Sequence, residues 1–204
     1  MFKKFYIFLS FFICTSLWAD DCLLYKENPQ VFIEQPDYTV TVVQPNKKMD
    51  LWHGNVIATM VDNYDIITDV KPVDNGYCVI LKNVNSVYGY NDFLVNIDIR
   101  HTPDTCAYNT ILEHEKKHIK QYLSVIKDFK KELKDSVFNA SDSIMPIFIE
   151  EKSDVSLAVD KMNQELQSHP EIILIKQKIK AAEEIRNKKI DQNNNKNELE
   201  NCFN

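Results

Sequence analysis

Glycine is nearly absent, with three in 204 residues. That scarcity argues against a glycine-rich nucleotide fold, a collagen-like chain or a barrel with many tight turns, because each needs a residue without a Cβ at many positions. Basic residues are also in deficit: 24 Lys and Arg stand against 30 Asp and Glu, for a formal net charge of −6 and a pI near 5.4. Nothing in that balance supports nucleic acid as a partner. Beyond the first residues no apolar run approaches the roughly 20 residues of a membrane span. Histidine is scarce too, at five. What remains is 44% apolar and 26% charged, which excludes a wholly disordered chain and leaves enough material for one domain with a real core.

The start of the chain reads as an address. Lys3 and Lys4 precede a run over 5–17 broken only by Ser10, Thr15 and Ser16, and Ala19 stands before Asp20-Asp21. This is the charged, apolar and small-residue order of a secretory signal peptide over 1–19, and the run is short for a membrane span. Leu17, large for its place two before Ala19, is the feature that would suit an uncleaved anchor. Cys22 lacks the small-residue box of a lipoprotein. Cleavage after Ala19 removes Lys3, Lys4 and Cys14, and leaves 185 residues at −8 with four cysteines. The expected location is the periplasm or the exterior, with no stable membrane span after cleavage. An even number of cysteines in an exported chain reads as two disulfides. The preferred pairing is Cys78–Cys106 and Cys22–Cys202; free thiols would signify a reducing compartment instead.

Two periodicities divide residues 20–200, read as a single domain. Over about 31–100 apolar residues alternate, as in half-buried strands: Tyr38, Val40 and Val42, then 64–70, then a hairpin signal at Asp74-Asn75-Gly76. Residues 93–99 are the clearest strand, with Phe93, Val95, Ile97 and Ile99 on one face and Asn96, Asp98 and Arg100 on the other. Over about 107–190 the period is helical. Ile111, His118, Tyr122, Val125 and Phe129 form a stripe with His114 beside it. A break at 139–142 and Pro146 predict a second helix, with a stripe from Phe148 to Leu166; His169-Pro170 ends it, and Ile172 to Ile185 mark a third. Residues 191–204 read as a polar tail tied by Cys202. The predicted fold class is α+β, a small and mainly antiparallel N-terminal sheet followed by long helices.

The first of those helices carries His114-Glu115-Lys116-Lys117-His118, an H-E-x-x-H sequence. Residues four apart stand one turn above each other, so both imidazoles can reach one Zn²⁺. Glu115, about 100° further round, is placed to take a proton from water on the metal and pass it to a leaving amine. With five histidines in the chain, a chance match is on the order of one in a hundred. The plain alternative is a pair of solvated histidines on a lysine-rich helix face.

The order Gly76-Tyr77-Cys78-Val79, Phe93-Leu94-Val95-Asn96-Ile97-Asp98, Cys106-Ala107-Tyr108 and Leu112-Glu113-His114-Glu115-Lys116-Lys117-His118 resembles a family of secreted bacterial proteins of unknown function regarded as zinc peptidases. The resemblance covers roughly 37–140 and implies a zincin-like site, with His114 and His118 as ligands, Glu115 as base and one zinc per chain. Two departures stand out. Gln121 occupies the place of the metzincin glycine, and Val137 and Phe138 fall where thermolysin and aminopeptidase types carry an acid.

The third ligand therefore stays open. A helix returning directly from a turn near Ser141 brings residue 164 level with His118, which favours Glu165; Glu151 is its rival. Glu132 lies about 21 Å along the helix, out of reach. His101 is a possible ligand or donor, against a solvated strand end, and His53 beside Trp52 reads as structural. The expected function is zinc-dependent hydrolysis of peptide bonds in a peptide or protein substrate, extended along the 93–99 strand. The alternatives are a non-catalytic envelope protein binding a partner through its helices, with a structural metal or none, and hydrolysis of a non-peptide bond.

Overall fold

The computed structural model describes residues 22–46, 48 and 53–202. The expected signal peptide over 1–19 and Trp52 lie outside them. Five strands form one sheet: β1 (Gln30–Glu34), β2 (Thr39–Val43), β3 (Gly54–Val73), β4 (Gly76–Ile97) and β5 (Ile147–Ile149). Three helices follow the long strands: α1 (Cys106–Ser143), α2 (Val155–Ser168) and α3 (Pro170–Glu200).

The expectation of an α+β chain on a small, mainly antiparallel sheet is overturned. The sheet is mixed, and β1 and β2 both run parallel to β4. They lie end to end on one side of it, opposite 83–87 and 92–96, while β3 runs antiparallel along the other side. Alternation in a strand reports that one face is buried; it carries no information about the direction of the neighbour. The hairpin itself is where its turn residues put it, with Val73 opposite Gly76 and Asn75 at φ 65°. Its arms are 20 and 22 residues, several times the usual 5–6, and register shifts at Thr59/Met60 and Ile67/Thr68 bend it. Gly76 is required because β5 crosses there: a Cβ would stand 2.3 Å from the Ile149 carbonyl oxygen.

Phe93, Val95 and Ile97 are fully buried on the inner face, as their alternation predicts. The strand ends at Ile97, however, and Ile99 is exposed. Asp98, expected outward, is fully buried and held by the backbone N–H and guanidinium of Arg100 at 2.8 Å each. Because β2 and β3 flank residues 92–96 on both sides, this stretch has no free edge for a substrate.

The helices cover the inner face. Leu133, Val137, Met162, Leu166, Ile172, Ile175 and Ile179 join the sheet's Val84, Phe93 and Val95 in one core. Pro146 leads into β5 rather than a helix, and α3 continues through the expected tail as far as Glu200. Both disulfides depart from the expected pairing: the bonds are Cys22–Cys78 and Cys106–Cys202. Two disulfides are compatible with an exported protein. Among the described residues no helix is long and apolar enough to cross a membrane.

Candidate metal centre

Helix α1 starts where Thr105 accepts a hydrogen bond from the Tyr108 N–H, capping an otherwise unpaired donor. Two turns further on, His114 and His118 project from one face, and both are buried. Their Nε2 atoms are 3.0 Å apart. The returning partner of α1 is α3, and the contacts mark an antiparallel pair. Asn139 meets Glu171, Glu132 meets Lys178, Asp128 meets Arg186 and His118 meets Asn187. The next step of that ladder is Asp191.

Asp191 Oδ1 lies 3.1 Å from His118 Nε2 and 3.4 Å from His114 Nε2. Two imidazole nitrogens and a carboxylate oxygen thus form a nearly equilateral triangle. Tetrahedral zinc with bonds of about 2.0–2.1 Å sets neighbouring ligand atoms about 3.3 Å apart, so the triangle has the dimensions of one face of such a site. Among the described residues this is the one group of three or more His, Cys, Asp or Glu side chains close enough to hold an ion. Donor types and spacing both fit a zinc site with a fourth position open.

Asn187 completes the arrangement from outside. Its Oδ1 is 2.9 Å from His118 Nδ1, an acceptor there that favours the tautomer with the proton on Nδ1 and the Nε2 lone pair toward the triangle. Burial depresses the His114 pKa first, and the His118 charge adds to it, while Asp191 opposes both. The neutral imidazole so favoured is the form that binds metal.

Glu115 is also buried, beside the pair. Burial first, and the Asp191 charge second, push its pKa up to about 7. Its carboxylate rests over the start of β3, where a Cβ on Gly54 would stand 2.9 Å from Oε1 and 2.6 Å from Ile111 Cγ2. One of three glycines in the chain is thus where the sheet comes up against Glu115.

The other sequence candidates lie elsewhere. Glu165 is exposed on α2, and Glu151 is exposed at the start of a short 3-10 turn. Neither joins the histidines; the third member is Asp191. The reason is the chain's route, because β5 and α2 intervene and the helix alongside α1 is α3. His101 is buried rather than solvated, and its Nε2 lies 2.8 Å from His53 Nδ1, apart from the triangle. Asp191 and Asn187 were the residues missed. A signal for them exists: Ile175, Ile179, Glu183, Asn187 and Asp191 are spaced by four, so the inward-facing stripe of α3 turns from apolar to polar without changing period, buried as far as Glu183 and half-buried at Asn187 and Asp191.

No protein-family model, curated protein or solved structure matches the chain. The site is therefore defined by its own geometry.

Proposed function

We propose that this chain is an exported, periplasmic or secreted, zinc-dependent peptidase with His114, His118 and Asp191 as metal ligands. The observation that carries the reading is the triangle of donor atoms, 3.0, 3.1 and 3.4 Å on its sides, with a buried Glu115 next to His114. The resemblance of the motif region to secreted bacterial H-E-x-x-H proteins points the same way. When bound, zinc supplies Lewis acidity, polarising a carbonyl and lowering the pKa of water toward 7. Glu115 takes the proton from the attacking water and delivers it to the departing amine. Its pKa near neutrality suits both halves of that task. Asn187 keeps His118 in the metal-binding tautomer.

The substrate strand belongs on β3 rather than β4. Among the described residues β3 pairs with β4 alone, so its outer edge presents unpaired backbone donors and acceptors. Gly54 places the beginning of that edge against Glu115, and Asn55, Ile57 and Thr59 are exposed along it.

The deciding experiment is metal analysis of untagged protein together with hydrolysis of unfolded protein substrates. About one zinc per chain is expected, and Glu115→Gln should keep the metal and lose hydrolysis by several orders of magnitude. Asp191→Ala should lose the metal. Zinc retained by the wild type without hydrolysis of any such substrate would leave a structural metal in a non-catalytic protein. Absence of zinc would end the enzyme reading.

A further inference from the structure

The two disulfides sit in opposite surroundings. Cys22 and Cys78 are fully buried, near the hairpin end of β4. Cys106 is exposed and Cys202 half-buried. This second bond joins the first residue of α1 to the chain just past α3. Its Sγ at Cys202 lies 3.4 Å from Thr110 Oγ1, one turn before His114. A thiol reagent that reaches one bond is shut out of the other.

Among the described residues, the part of α3 that leads to the exposed bond has few buried apolar contacts. The fully buried apolar side chains of α3 are Ile172, Ile175 and Ile179, and from there to Gln192 Glu183 alone is buried. Burying an isoleucine contributes about 1.5–3 kcal/mol, and this section has none. In its place stand the Arg186–Asp128 ion pair, half-exposed and worth about 1 kcal/mol at most, and Leu199, partly buried against the core. The contacts of Asn187 and Asp191 with His118 are themselves the site. Ala182, partly buried, and the hydrogen bond from Tyr90 to Glu183 add to these nearer the packed end, and beyond Asp191 the covalent closure across 96 residues by Cys106–Cys202 ties the helix back to the start of α1.

We propose that the Cys106–Cys202 disulfide governs metal binding by holding the last turns of α3 against α1, so that the site is complete in the oxidised chain and opens on reduction. The inference rests on the metal reading above. Reduction transfers two electrons and two protons from a dithiol, which leaves as its own disulfide, and yields the thiols of Cys106 and Cys202. Oxidation after export by a disulfide of the same class reverses this. The chain would then acquire its metal affinity only where disulfides persist.

The test compares the pair Cys106→Ser/Cys202→Ser with the pair Cys22→Ser/Cys78→Ser, by Zn²⁺ competition against a chelator and by amide hydrogen exchange. The first pair should bind Zn²⁺ about 10- to 100-fold more weakly, the scale of losing a ligand's outer support. It should also exchange faster over 187–200 while 111–140 stay protected. The second should leave Zn²⁺ affinity unchanged. Unchanged affinity and protection in the first pair would overturn the proposal. So would equal weakening in both pairs. Should the serine pair fail to fold, Cys106→Ala/Cys202→Val, which keeps an apolar contact there, is put to the same two measurements. If the wild type takes up no zinc, the metal reading fails on its own. Exchange over 187–200 in metal-free protein then still decides whether the bond holds the helix.

Discussion

Along one axis, α1 and α3 make two different contacts. At one end Leu133, Val137 and Ala140 share a core with Ile172, Ile175 and Ile179, all almost fully buried. At the other, His114 and His118 meet Asn187 and Asp191. The inward stripe of α3 turns polar after Ile179, whereas α1 keeps Val125, Ile126 and Ile119 buried up to the histidines. The apolar end supplies stability by excluding water, and does so whatever is bound. The polar end forgoes that contribution and brings together the His114, His118 and Asp191 donor atoms, so on the proposed reading its cohesion depends on metal and on a covalent tie. The division teaches that a cluster of candidate metal ligands can be assembled by letting an inward-facing stripe continue in polar residues, provided the packed end sets the register.

The largest effect should come from the apolar end. Ile175→Ala leaves a cavity in a site only 1% exposed, and such truncations cost about 2–5 kcal/mol. Urea unfolding should show that loss equally with and without Zn²⁺. A loss under about 1 kcal/mol would mean that the packed end does not set the register.

Next comes the outer support of the site. Asn187→Ala should leave the stability of the metal-free chain nearly unaltered and weaken Zn²⁺ binding about 10- to 100-fold. Asn187→Asp, which keeps an acceptor for His118 Nδ1–H, should recover most of it. Chelator competition reads both. Equal affinity in Asn187→Ala and the wild type would remove Asn187 from the site, and the comparison between the two ends would lose its polar side.

The sequence made the local part of this design legible and little of the rest. His114, Glu115 and His118 stand on one helix, so spacing alone sets their relation. Asp191 is 73 residues from His118, and finding it requires knowing which helix lies beside α1. The rule of equal distances from a turn near Ser141 fails because β5 and α2 are inserted before the chain comes back. The same detour misleads the cysteines. Once α3 is seen as the partner of α1 and helical to Glu200, Cys202 comes level with Cys106, and the alternative partner Cys22 is left for Cys78. In the sheet, Val40 and Val42 were correctly read as strand residues. Their parallel neighbour could not be, because side-chain alternation is the same in either direction.

The smallest effect lies at the boundary between the two ends. Glu183 is buried there, and the Tyr90 hydroxyl donates to its Oε1 at 2.7 Å. Burial, with a lesser contribution from Glu184, raises its pKa above the ordinary 4.5, and the Tyr90 hydrogen bond only partly offsets this. The sign follows from linkage. An acid harder to ionise in the folded than in the unfolded chain contributes most below its unfolded pKa, and that contribution is lost as pH rises through the folded value. Glu183→Gln keeps an acceptor for Tyr90 and cannot ionise. It should therefore melt close to the wild type near pH 4 and above it near pH 7.5, by about 2–4 °C if the penalty removed is about 1 kcal/mol. Thermal melts of metal-free protein at the two pH values read the difference directly. A variant that melts lower at pH 7.5 would show that the ionised carboxylate is stabilised in place. The polar stripe of α3 would then begin at Glu183 as a supporting element of the site rather than at Asn187.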